Sequence, residues 1–258
     1  MVFAHRIAAF VFTLLTGFAL QSGVAVAADD RPNFVVIFTD DQGYQDVGVF
    51  GSPDIETPNL DRMAAEGVRL TDFYVSQAVC SASRAALMTG CYSNRVGILG
   101  ALGPGSKIGI SDEEMIFPQV LKTRGYATAI YGKWHLGHAQ ETYTPRQRGF
   151  DHFYGHLHTE VGYFPPFASQ GGRDFQRNGV AIEGEGYETY LLADEASRYI
   201  RERDKQKPFF LYVPFIAPHT PLEAPDDLLE KYADMGDDRE AARSEQTDRT
   251  RMFRKLLL

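Results

Sequence analysis

Asp40 and Asp41 are adjacent acids directly after an apolar run at residues 33–39. Two neighbouring carboxylates repel one another unless a cation bridges them, and an oxygen-only pair suits a hard ion such as Ca²⁺ or Mg²⁺. The same pair also reads as ordinary loop acids or a helix N-cap. Cys80 opens the string Cys80-Ser81-Ala82-Ser83-Arg84, just ahead of a helix-forming stretch. A helix N-terminus attracts an anion or stabilises a thiolate, and Arg84 adds a fixed positive charge one turn on. Cys80 is therefore a candidate nucleophile, with an inert thiol or a disulfide to Cys91 as the alternatives. Lys133 and His135 stand between Gly132 and Gly137. There one side chain can hold an anion while the other moves a proton, although a solvated Lys and a satisfied core His fit equally well. His219 lies between Pro218 and Pro221, whose rings fix the local backbone, and a single His in such a loop is more commonly structural.

The elements that must position these residues read as alternating strands and helices. Residues 33–39, 127–131 and 209–215 are short apolar runs rich in β-branched and aromatic side chains and read as buried strands; residues 68–74 read as a further strand. Helices are expected at 59–66, with Thr57 as N-cap and Pro58 in the first turn, and at 83–89, 117–124 and 191–203. Residues 152–190, rich in Gly and aromatics without a clear period, read as an irregular insertion over the sheet edge. Alternation of this kind argues for a parallel α/β sheet, in which ligands bind at the carboxyl ends of the strands. Asp40-Asp41, Lys133 with His135, and His219 all fall at such ends, and Cys80 with Arg84 lies between a strand and a helix.

Composition narrows the function classes. The 258 residues are 44% hydrophobic and 23% charged, proportions that exclude a wholly disordered chain. The net charge of −8 disfavours a nucleic-acid binder, which gains affinity from basic groups on phosphate. Two cysteines are too few for a disulfide-built miniature. His5 and Arg6 precede an apolar run over residues 7–20, and Ala25-Val26-Ala27 supplies the small residues a signal peptidase reads. Residues 1–27 are thus expected to be a cleaved signal peptide, which places the protein outside the cytoplasm, periplasmic or secreted, with no membrane attachment after cleavage.

Taken in order, the strings FVVIFTDDQGYQDVG, TPNLDRMAAEGVRLTDFY, CSASRAALMTG, GYATAIYGKWHLG and APHTP resemble the type I sulfatase family. The resemblance runs from about Asn33 to about Asp238. It implies an alkaline-phosphatase-like α/β fold, a three-layer sandwich around a mostly parallel central sheet. It also implies hydrolysis of aryl or carbohydrate sulfate esters, with a phosphate or phosphonate monoester hydrolase and a non-catalytic sulfated-ligand binder as alternatives. In that family a maturation enzyme oxidises the motif cysteine, here Cys80, to Cα-formylglycine. One hydroxyl of the hydrated aldehyde attacks sulfur, and the other then loses its proton as sulfate is eliminated. By the same resemblance Asp40, Asp41 and the modified Cys80 hold a divalent cation, usually Ca²⁺ and alternatively Mg²⁺. Arg84 stabilises the ionised diol, Lys133 and His135 contact diol and sulfate, and His219 binds sulfate and helps protonate the leaving oxygen. His156, His158 and residues 163–167 are expected along the leaving-group pocket. By the same resemblance the metal site is completed by a later Asp-Asn or Asp-Gln pair, and here Asn33, Asn59, Asn94 and Asn178 follow Pro, Pro, Ser and Arg. We therefore read residues 28–238 as a partial catalytic domain, incomplete at its C-terminus, and 239–258 as an atypical charged tail of a truncated or frameshifted reading frame.

Overall fold

The computed structural model describes residues 30–53, 55–158, 161–169 and 172–231. The expected signal peptide at 1–27 and the tail at 239–258 lie outside them. Strand β1 (Phe34–Phe38) is followed by helices α1 (Pro58–Glu66), α2 (Cys80–Thr89) and α3 (Phe117–Thr123). Strands β2 (Ala127–Lys133) and β3 (His152–His156) come next, then four two-residue strands, β4 (Ala168–Ser169), β5 (Gly172–Arg173), β6 (Gln176–Arg177) and β7 (Val180–Ala181). Helix α4 (Glu188–Glu202), strand β8 (Phe209–Pro214) and helix α5 (Asp226–Lys231) complete the order.

The main sheet runs β1-β8-β2-β3-β6-β7, with β1, β8, β2 and β3 mutually parallel and the β6–β7 hairpin antiparallel at one edge. β8 is buried along its whole length, as expected of a parallel strand covered on both faces. Leu192 and Ala196 of α4 pack with Ala129, Tyr131, Leu211 and Val213 on one face. Ala85 and Met88 of α2 and Leu121 of α3 pack with Ile130, Phe210 and Tyr212 on the other. The result is the three-layer α/β arrangement around a mostly parallel sheet that was expected.

Two local expectations are corrected. Residues 68–74 form no strand: they pair with no strand among the described residues, and their apolar side chains face solvent, Val68 at 86% and Tyr74 at 83% exposure. Within the segment read as an irregular insertion, His152–His156 is instead a fully integrated strand, paired in register with β2 from Ala129↔His152 to Lys133↔His156. That pairing depends on glycine. A Cβ on Gly132 would stand 2.1 Å from Pro214 O, and one on Gly155 would stand 2.2 Å from Gly132 O; both residues have positive φ. Only glycine lets β8, β2 and β3 close up at their carboxyl ends. Among the described residues no helix is long and apolar enough to cross a membrane.

Candidate active site

The carboxyl ends of β1, β2 and β8 and the start of α2 meet at one place. Asp40 follows β1 by two residues, and its N–H donates to Ala217 O at 3.1 Å, which ties it to the segment after β8. Lys133, the last residue of β2, donates its ammonium to Asp40 Oδ2, and Arg84 Nη2 lies 3.5 Å from the same oxygen. Both cations are wholly buried. Buried charge is tolerated only when paired, and here one carboxylate faces two cations. Burial pushes the Asp40 pKa up, but the charges of Lys133, Arg84 and His219 outweigh it and hold the carboxyl well below the usual carboxylate range.

Arg84 reaches this point from the second turn of α2. Its Nη1 donates to Lys133 O at 3.2 Å and to Tyr212 Oη at 3.4 Å, and its guanidinium lies over the Phe38 ring, 5.3 Å from the centroid. Tyr212 and Phe38 belong to apolar strands, and nothing in their sequence context marks them as partners of Arg84.

Cys80 is the first residue of α2, so the helix begins three residues earlier than its composition suggested. The thiol is half-buried and within electrostatic reach of Lys133, Asp40 and Arg84. Burial raises its pKa more than Lys133 lowers it, so the thiolate expected from the helix N-terminus is not favoured. Cys80 and Cys91 are both free thiols, and the alternative of a disulfide between them is not realised.

His135 has a left-handed backbone (φ 54) and is buried; its Nε2 lies 2.8 Å from Leu102 O. A carbonyl only accepts, so Nε2 carries the proton and Nδ1, buried without a hydrogen-bond partner, keeps its lone pair. Burial and the Lys133 charge push the His135 pKa well down, leaving a neutral ring. His219 uses Nδ1 on Thr220 O at 2.6 Å and turns Nε2 toward Asp41 Oδ2 at 3.8 Å. Asp41 also has a left-handed backbone (φ 63) and keeps a partly exposed side chain. His156 and His158 stand beyond Lys133 on β3 and its extension: His156 is wholly buried, 3.4 Å from Glu188, and the His158 ring lies 3.9 Å from that of His138.

Asp40 and Asp41 carry hard oxygen donors of the kind a divalent cation takes, and Cys80 lies within electrostatic reach of Asp40. A complete shell needs six to eight oxygens. Among the described residues no group of three or more His, Cys, Asp and Glu is placed to hold a metal by itself.

The comparisons agree with this arrangement. Residues 32–254 match the Sulfatase family model. Human N-acetylgalactosamine-6-sulfatase is 36% identical over 224 residues, covering 80% of this chain and 43% of the relative. The structure of Ps i-CgsB in complex with k-i-k-neocarrahexaose is 34% identical at a TM-score of 0.75, covering 88% of this chain and 54% of that one. The structure of BT4656 with D-glucosamine-2-N,6-O-disulfate is 32% identical at a TM-score of 0.66, covering 79% and 38%. The chain thus spans about half the length, or less, of the proteins it matches. The family model covers most of the chain, the sheet agrees with the fold of these structures, and the chain belongs to the sulfatase family.

Proposed function

We propose that the protein is a sulfuric ester hydrolase acting on sulfated carbohydrates, with residues 28–238 carrying its catalytic machinery. The observation that supports this most directly is the grip of Lys133 and Arg84 on Asp40 beside Cys80. It gathers an anion-binding pair, an acid and the modifiable residue at one end of the sheet. Two relatives were solved with a neocarrahexaose and with a disulfated glucosamine, which favours a sulfated glycan as the substrate class.

Cys80 acts here after oxidation to Cα-formylglycine by a maturation enzyme, since its half-buried thiol, with its pKa raised, is a weak nucleophile at neutral pH. Asp40, Asp41 and modified residue 80 would hold a divalent cation, Ca²⁺ or Mg²⁺, which would supply Lewis-acid polarisation of the sulfate group. The chain's own residues do the rest. Arg84 and Lys133, fixed by Asp40, present positive charge to the ester's sulfate group without needing to reorganise. His135, neutral with a free Nδ1, accepts a proton. His219, whose Nδ1–H is engaged by Thr220 O, directs Nε2 into the site and, as the imidazolium, donates its Nε2 proton to the departing oxygen, leaving the neutral Nδ1–H ring. With the signal peptide expected at residues 1–27, the protein would act outside the cytoplasm.

The test is co-expression with a formylglycine-generating enzyme. Peptide mass spectrometry is expected to show replacement of the Cys80 CH₂–SH by an aldehyde, and the matured protein is expected to release sulfate from a sulfated sugar with added Ca²⁺. An unmodified Cys80 together with no sulfate release overturns the proposal. Release of phosphate or phosphonate in preference to sulfate establishes the alternative hydrolase class.

A further inference from the structure

Tyr163 is wholly buried and takes no part in the chemistry just described, yet its polar atoms knit three segments together. Its phenol donates to His219 O at 2.8 Å. Its N–H donates to Glu223 Oε2 at 2.8 Å, and its carbonyl accepts from the N–H of Glu188, the first residue of α4, also at 2.8 Å. The ring stacks on Tyr187 with centroids 5.6 Å apart. His219 is therefore held from two sides: its ring by Thr220 O and its backbone carbonyl by the Tyr163 phenol. Both X-Pro bonds flanking this loop, Ala217–Pro218 and Thr220–Pro221, are cis.

We propose that Tyr163 is a positioning residue: by anchoring the His219 carbonyl it sets where the His219 imidazole stands relative to Asp41 and the leaving oxygen. The catalytic half of this inference rests on the function proposed above. Burial pushes the phenol pKa far up, so the group stays an O–H and serves only as a donor to the carbonyl. Glu223 acts with it, because its carboxylate fixes the Tyr163 backbone to the same loop that carries His219.

Tyr163→Phe keeps the stacked ring and removes only the donor. In the matured, Ca²⁺-loaded protein, kcat/KM is measured over sulfate esters whose leaving groups span a wide pKa range. A displaced proton donor matters little for 4-nitrophenyl sulfate and much for poor leaving groups, so losses of about twofold and about thirtyfold or more are expected at the two ends. Equal loss across the series shows a merely structural tyrosine and overturns the proposal. Glu223→Ala is the second variant and is expected to steepen the leaving-group dependence in the same direction. A ¹H–¹³C histidine spectrum of the same samples does not depend on turnover. The ring cross-peak assigned by His219→Gln moves in Tyr163→Phe, while that of exposed His152 stays in place. An unmoved His219 peak overturns the proposal. If the wild-type protein hydrolyses no ester yet the His219 peak moves, the catalytic reading fails and the positioning role stands.

Discussion

Lys133 delivers its ammonium to Asp40 across β8, the strand that separates β2 from β1. The two residues are 93 positions apart in sequence and both are buried, so their pairing forms only when the sheet closes. Lys133→Met takes from the buried Asp40 carboxylate its hydrogen-bonded cation and leaves it Arg84 at 3.5 Å and the charge of His219. A loss of about 3–5 kcal/mol in unfolding free energy is expected by urea denaturation at pH 7. The Asp40 pKa is depressed in the fold, so its stabilising contribution is present above the unfolded value of 3.8 and lost as pH falls below it. The deficit of the variant therefore shrinks in acid. A deficit below about 1 kcal/mol at pH 7 contradicts the ion-pair account.

His135 gives a second pH signature. Its folded pKa lies well below the ordinary 6.5, so the unfolded chain binds more protons than the fold once pH drops under that value. Stability is full above 6.5 and declines as pH falls through the interval beneath it, by at most about 1.4 kcal/mol per pH unit. His135→Gln keeps a donor for Leu102 O and cannot titrate, so its stability is expected to vary less between pH 6.5 and pH 5 than that of the wild type. Parallel thermal unfolding scans over that range check this.

Much of this site was legible because its residues sit in short polar strings at the ends of strongly apolar strands, where an α/β sheet gathers ligands. Helix α4 and strand β8 carry strong apolar patterns and fall close to where those patterns put them. β3 escaped because His-Phe-Tyr-Gly-His has no β-branched residue and holds a glycine; its place in the sheet comes from Gly155 meeting Gly132, a contact between strands. Residues 68–74 erred in the opposite direction, since an apolar run without a partner strand has nothing to pair with. Tyr212 and Glu223 gave no signal, and Tyr163 was expected only as part of a pocket-lining aromatic segment; the bond from its phenol to the His219 carbonyl, like the other two roles, arises from tertiary contacts of ordinary side chains.

Metal removal separates the roles of the two acids. Asp40 is engaged by Lys133 and Arg84, whereas Asp41 turns a partly exposed side chain toward His219. Added Ca²⁺ at about 100 times its dissociation constant is expected to stabilise the matured protein by about 2.7 kcal/mol, and a chelator to reverse this. Asp41→Asn removes one charged oxygen donor and is expected to abolish most of the Ca²⁺-dependent shift while leaving stability in chelator near that of the wild type. Asp40→Asn is expected to lower stability even in chelator, because it strands two buried cations. Unfolding curves with and without Ca²⁺ decide both points, and a Ca²⁺ shift preserved in Asp41→Asn removes Asp41 from the cation site.

The glycines at the carboxyl ends of β2 and β3 set how closely these groups converge. Gly132 immediately precedes Lys133, and Gly155 immediately precedes His156, its in-register neighbour. An added methyl group at 132 meets the Pro214 carbonyl at 2.1 Å, and one at 155 meets the Gly132 carbonyl at 2.2 Å, so neither clash is relieved by turning a side chain. The positive φ at each position adds backbone strain for any L-residue. Gly132→Ala and Gly155→Ala are each expected to lose more than about 3 kcal/mol of stability. Gly103→Ala is the control, since a Cβ there meets nothing within 4 Å, and it is expected to stay within about 0.5 kcal/mol of wild type. Urea denaturation of the three variants measures this. A mild effect at Gly132 shows that β8 and β2 can separate at their carboxyl ends, and in that case Lys133 could not be held on Asp40 by the sheet alone.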